Sequence, residues 1–219
     1  LCTPFDVVSL KKLKKLKIKS FKIASPDLDN FPLLYDLRNG ADKIFISTGM
    51  SSIQDISNTI KYLEKMKVRK NKLTLLHCIS DYPANEEDLN LSAIQLLKEK
   101  FKLKIGFSDH SKGNLASIVA TTLGAEVIEK HITLNKKMLG PDHSSSMNEK
   151  EFKKFVKIIR NTEIVIGKKI KEVTKNEKKN FKMVKRSVFL NSDIKKGAKF
   201  KIENFVCLRP RKKFKSINW

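Results

Sequence analysis

The chain has 219 residues, 40% of them hydrophobic, which is enough to bury a core and too many for general disorder. Its formal charge of +23 invites a nucleic-acid reading, but the lysines are spread over almost every segment. No helix-turn-helix, zinc-finger or aromatic-basic RNA motif occurs, and no apolar run approaches the roughly 18 residues of a membrane span, so neither nucleic acid nor membrane is expected as a partner. The runs Lys11-Lys12, Lys14-Lys15 and Lys168-Lys169 read as solvated helix faces. Cys2, Cys78 and Cys207 are few, odd in number and without metal-ligand spacing, which fits reduced thiols in a cytoplasm. The opening Leu1-Cys2-Thr3-Pro4-Phe5 carries no charged leader and no apolar signal core, so a start inside a longer gene is expected.

In chain order, short β-branched or aromatic runs alternate with longer amphipathic stretches. A strand end at 1–3 precedes a helix at 7–16, a strand at 21–24 and a helix at 31–38. A strand at 43–47 leads to a helix at 53–65, and a strand at 73–77 to a helix at 91–100. Strands at 103–107 and 127–132 are then followed by helices at 115–123 and 150–166. Ser51 with Gln54 and Asn148 with Glu151 read as capping boxes, and Gly124-Ala125 as a helix stop. This rhythm predicts a parallel α/β fold. Residues 167–184 are Lys-rich and read as an exposed linker, and 185–219 as a small β-rich module with a turn at 193–197.

The polar residues are placed unevenly within that rhythm. Each predicted strand runs into groups able to do chemistry: Thr3; Lys22 and Ser25; Ser47 and Thr48; His77; Ser108, Asp109 and His110; Glu129, Lys130 and His131. In a parallel barrel all strand C-termini meet at one face, which carries the active site. An open Rossmann-like sheet would instead show a Gly-rich phosphate loop after an early strand, and none is present. The pattern predicts a barrel.

The strings Thr3-Pro4-Phe5, Phe21-Lys22-Ile23-Ala24-Ser25, Ile46-Ser47-Thr48-Gly49-Met50, Leu76-His77-Cys78 with Asp81-Tyr82-Pro83, Phe107-Ser108-Asp109-His110, Glu129-Lys130-His131 and Gly140-Pro141-Asp142-His143 together resemble, in order, the sialic acid synthase family (N-acetylneuraminate and legionaminate synthases). Arg186-Ser187-Val188, Asp193-Ile194-Lys195-Lys196-Gly197 and Glu203-Asn204-Phe205 resemble the start of that family's antifreeze-like (SAF) domain. The resemblance implies a partial TIM (β/α)8 barrel, about strands 3–8, over 1–166, a linker over 167–184 and a truncated SAF domain over 185–219. It places the first two strands before Leu1, so this segment alone is expected to be inactive.

The implied activity is that of a transferase joining phosphoenolpyruvate to N-acetylmannosamine or a 6-deoxy diacetamido sugar, giving a nonulosonic acid and phosphate. By the same resemblance, Thr3, Lys22, Ser25, Ser47, Ser80 and Ser108 face phosphoenolpyruvate. Tyr82, Asp142 and Arg209 face the sugar, Lys22 and Asp27 are catalytic, and the full-length protein is a domain-swapped homodimer. His110 and His131 end neighbouring strands and can converge on one divalent cation, manganese in the family, with magnesium or cobalt as substitutes. Ser25-Pro26-Asp27 departs from the Ser-Gly-Glu of relatives, Ser80 stands where some carry asparagine, and Arg211-Lys212-Lys213 replaces a Gly-rich continuation. His77 reads as a hydrogen-bonding residue and His143 has no assigned role. The competing readings are a metal-dependent aldolase on the same fold and a non-catalytic remnant serving as a scaffold.

Overall fold

The computed structural model describes residues 1–212. The chain divides into two compact units, Leu1–Gly167 and Lys168–Trp219. In the first, α1 (Val7–Lys15), β1 (Ser20–Ile23), α2 (Phe31–Leu37), β2 (Lys43–Ser47), α3 (Ile53–Lys65), β3 (Leu73–Cys78), α4 (Ala93–Phe101), β4 (Lys104–Asp109), α5 (Leu115–Thr122), β5 (Ile128–Lys130) and α6 (Glu149–Ile166) follow one another. The five strands lie side by side in chain order, each parallel to the next. Cys2 adds a parallel bridge to Phe21 outside β1. Sequential parallel strands with a helix after each form a curled half-barrel, the predicted partial (β/α)8 arrangement.

Burial follows from strand position. All six residues of the central β3 are buried, because helices cover one sheet face and the curl covers the other. In β1 the alternation places Phe21 and Ile23 in the core and turns Lys22 the opposite way. Gly106 in β4 is required by close strand contact: a Cβ there would lie 2.6 Å from both Leu76 Cδ2 and the Val127 carbonyl oxygen. A small second cluster of Met147, Phe155 and Ile159 seats α6 against Ile118 of α5 and Ile128 of β5.

The element boundaries depart from the sequence reading in definable ways. The box before α3 is Ser52 with Asp55, not Ser51 with Gln54. Two overlapping Ser-x-x-polar patterns occur there, and Ser51 instead donates to the Gly49 carbonyl. The box at Asn148 and Glu151 is present, and Gly124 ends α5 at φ +95°. β4 continues through Asp109, whereas β5 stops at Lys130. Beyond β5 the chain pairs with a later loop: the Met147 amide donates to the His131 carbonyl and the Thr133 amide to the Met147 carbonyl. Lys14 is not a solvated lysine; it is partly buried and donates to the Asp36 carbonyl, and Lys168-Lys169 lies past the end of α6 rather than on a helix face.

In the second unit α7 (Lys175–Val184) occupies the segment read as a linker, nucleated by a capping box at Thr174 and Glu177 and exposed over most of its length. An antiparallel pair, β6 (Ser187–Leu190) and β7 (Phe205–Leu208), follows. Among the described residues no helix is long and apolar enough to cross a membrane.

Candidate active site

Strand alternation and register build the site. Cys78 pairs with Ser108 across β3 and β4, and Ser108 pairs with Glu129 across β4 and β5, so three side chains form one row. One residue past each row member the chain turns its side chain to the opposite face; two residues past, at His110 and His131, it returns to the row's side. Lys22 enters from β1, and Ser25 and Ser47 from the ends of β1 and β2.

These residues line a cavity of about 520 Å³ together with Thr3, Ser80 and Tyr82. It therefore gathers every residue that the resemblance assigns to phosphoenolpyruvate, both histidines and one of the three sugar contacts. Lys22 Nζ lies 3.4 Å from a Glu129 oxygen, and that oxygen accepts from Ser108 Oγ at 2.7 Å. Ser25 Oγ accepts from the Gly49 amide at 3.0 Å. A Cβ on Gly49 would lie 2.2 Å from Ser80 Oγ and 2.8 Å from Ser25 Oγ, so glycine keeps this hydroxyl-lined wall open. Ser47 Oγ is buried and has no hydrogen-bond partner among the described residues. A buried hydroxyl left unsatisfied costs about 1–3 kcal/mol, which a ligand oxygen in the cavity would remove.

The two imidazoles lie with ring centroids 5.3 Å apart, edge to face, and the Tyr82 ring packs 4.1 Å from His110 and 5.6 Å from His131. His110 Nδ1 donates to the Ile79 carbonyl at 2.7 Å, which leaves Nε2 with its lone pair. Burial lowers the pKa of His110, assisted by His131 and Lys22 and opposed by the Ile79 carbonyl and Glu129, so the ring is neutral near pH 7. Burial, followed by Cys78, Asp142 and Glu129, raises the Tyr82 phenol, which stays a proton donor. Among the described residues no group of three or more His, Cys, Asp or Glu side chains is placed to hold a metal. What the cavity does offer is two imidazoles, one of them fixed as a neutral Nε2 donor. That set fits a divalent ion whose remaining positions are left to substrate and water.

Other expected site residues are placed elsewhere. The Asp27 carboxylate accepts from Asn30 Nδ2 at 2.8 Å and does not line the cavity, although Pro26 does. Asp142 is exposed and does not line the cavity, and its carbonyl accepts from Ser146, but its carboxylate lies near enough to Tyr82 to help raise the phenol's pKa. Arg209 belongs to the second unit, and Lys213 lies outside the described residues. His77 is buried and bonds the Leu89 carbonyl through Nε2 at 2.7 Å, a hydrogen-bonding residue as read, but it does not line the cavity and so is not at the barrel mouth where it was expected. His143 closes its loop through Thr133 Oγ1 at 2.7 Å. Glu129, Cys78 and Gly49 also belong to the site, although the resemblance gives them no role. All three sit inside motif strings, and the position of Glu129 two residues before His131, on the same side of the strand, is the sequence signal for the first.

Comparison with known proteins adds an independent line. The sequence pattern of the NeuB family matches residues 1–171. The chain is 42% identical over 210 residues to the N,N'-diacetyllegionaminic acid synthase of Campylobacter jejuni, covering 96% of this chain and 63% of that protein. To the synthase of the same name from Legionella pneumophila it is 39% identical, covering 95% and 59%. The crystal structure of N-acetylneuraminic acid synthetase from Leptospira borgpetersenii superposes with a TM-score of 0.75 at 38% identity, over 81% of this chain and 61% of that one. The chain thus spans less than two thirds of the length of these relatives.

Proposed function

The chain belongs to the NeuB family, and from that premise we propose that the complete protein condenses phosphoenolpyruvate with an N-acetylated amino sugar, giving a nonulosonic acid and phosphate. The observation that carries the proposal is the single cavity in which Lys22, the hydroxyls of Thr3, Ser25, Ser47 and Ser108, and two imidazoles converge. Phosphoenolpyruvate bears a phosphate and a carboxylate, and such a ligand needs a cation and several short donors in one place. Among the described residues Ser47 Oγ has no hydrogen-bond partner, and Glu129 is the one ion partner of Lys22.

In this reading Lys22 and the hydroxyls hold the anion with its C3 toward the sugar aldehyde. A carbon–carbon bond forms there, the aldehyde oxygen takes a proton, water adds at C2 and phosphate leaves. His110 and His131 would hold the divalent ion, which when bound supplies Lewis-acid polarisation of the aldehyde oxygen. Tyr82, half-exposed and protonated, donates to a sugar oxygen. Glu129 already lies in the cavity beside Lys22 and Ser108 and can accept or return a proton without moving. Asp27 would have to leave Asn30 to do the same. The relatives' names favour a legionaminic-type product. The SAF reading of the second unit, with Arg209 reaching the sugar in a domain-swapped dimer, belongs to the same proposal.

The test is Lys22→Ala in the complete protein. Loss of a charge-assisted contact is expected to weaken phosphoenolpyruvate by about 1.5–3 kcal/mol, read as its apparent KM, with the sugar's KM unchanged. Removing the exposed Lys168 and Lys169 should change it far less, since exposed charges are screened beyond roughly 8 Å at physiological salt. Equal effects from both substitutions would replace the specific pocket by a general positive field.

A further inference from the structure

We propose that the buried pair of Asp109 and Lys130 is a positioning device that sets the separation of His110 and His131. The inference rests on the proposed role of those histidines. Asp109 and Lys130 precede the two histidines in sequence, and alternation turns them to the sheet face opposite the cavity. Their side chains are 0% and 4% exposed, with Lys130 Nζ 2.9 Å from Asp109 Oδ2. Asp109 Oδ1 accepts from the Ser111 amide at 2.8 Å and from Ser111 Oγ at 2.7 Å, while Oδ2 accepts from Ser117 Oγ on α5. Lys130 Nζ also donates to the Ser111 carbonyl. Every oxygen of the carboxylate is thus engaged, and the pair joins two strands to the helix behind them.

A buried ion pair adds little net stability over an apolar pair of similar volume, but it fixes geometry, because removing one partner strands the other. Here the geometry it fixes is specific. Asp109 and Lys130 are the last register partners between β4 and β5. Past them the ladder stops, and the next residue on each strand is a histidine. β5 is three residues long, only partly buried and, among the described residues, paired with β4 alone, so backbone pairing by itself holds it weakly. Without the pair, what remains on this side is the Met147 amide on the His131 carbonyl, a contact to a loop rather than to β4, so the end of β5 and the His131 ring can shift with that loop relative to His110.

The test compares the complete wild-type protein with Asp109→Asn, Lys130→Met, their double variant, Lys130→Arg and Ser117→Ala. One readout is Mn²⁺ affinity by electron paramagnetic resonance; the other is the placement of the two imidazole rings in crystal structures of the same variants. The single charge-removing variants are expected to bind Mn²⁺ about 10–100-fold more weakly, the usual loss when a group supporting a ligand is removed. The double variant should be no weaker than the worse single, because the pair acts as a unit, and Lys130→Arg should recover most of the affinity. Should the charge variants fail to fold, Ser117→Ala, which removes one hydrogen bond, still displaces the rings if the proposal holds. Unchanged Mn²⁺ affinity and ring placement, with only a lowered melting temperature, would reduce the pair to a stability element and overturn it. If wild type binds no Mn²⁺ but the rings shift in the variants, the metal reading fails while the positioning role stands.

Discussion

His77 carries a pH dependence that its position dictates. Burial pushes its pKa below the ordinary 6.5, against the raising effect of its bond to the Leu89 carbonyl. A histidine whose folded value is depressed binds its proton more readily when unfolded. Its stabilising contribution is complete above 6.5 and is lost as pH falls through the folded value. Denaturant unfolding at pH 7.5 and pH 5 should therefore show a loss of stability on acidification, and His77→Gln should make that loss smaller. His110 acts in the same direction, so part of the slope remains. A slope unchanged by His77→Gln would mean that the ring is not neutral in the fold. At this scale the sequence was legible where chemistry follows local alternation: Lys22 between two core residues, and serines and histidines at strand ends. It was silent on what depends on register. Nothing in the string around Asp109 says that it meets Lys130. Asp27 is the opposite case: its partner Asn30 is three residues on, a local contact in the turn after β1 that competes with a place in the cavity.

Among the elements, the five strands and the six helices of the first unit were readable as periodic segments, those of β2 and α3 to the residue and the others with ends displaced by at most two residues. The displacement has a cause. Strand ends are set by the partner strand, so β5 stops where β4 stops at Asp109, and the chain beyond is claimed by the Met147 loop. α7 hides in a lysine-rich stretch because only Phe181, Met183 and Val184 of its ten residues are apolar; its start is fixed by the cap at Thr174. α6 is the element on which capping has a testable consequence. Asn148 Oδ1 accepts from the Glu151 amide at 3.0 Å, and the Glu151 carboxylate accepts from the Asn148 amide at 2.9 Å. Asn148→Ala should cost about 1 kcal/mol in unfolding free energy, measured by urea denaturation of the complete protein. A loss within error would show that the apolar seat of Phe155 and Ile159 holds the helix without its cap.

For the whole molecule, the charge of +23 is spread over almost every segment, whereas the proposed anion contact is local, at Lys22 in the cavity. Among the described residues, β5 pairs with β4 only, and outside β1 there is one bridge from Cys2. Unpaired strand edges beside exposed Leu1, Phe5 and Val8 invite association with other chains. Residues 1–219 expressed alone are expected to aggregate and to release no phosphate; sedimentation velocity checks the first point. A monomer with one cooperative unfolding transition would contradict it. The order of motif strings made the half-barrel and the family legible, since five of the strings end the five parallel strands and those ends line one cavity. The most direct test of the central claim is phosphate release by the complete protein, measured after metal removal and again with Mn²⁺ restored. The account predicts release that requires phosphoenolpyruvate, the amino sugar and the metal together, and that falls by at least about 10²-fold in His110→Ala or His131→Ala. Undiminished release after verified metal removal, or release without the sugar, would contradict it.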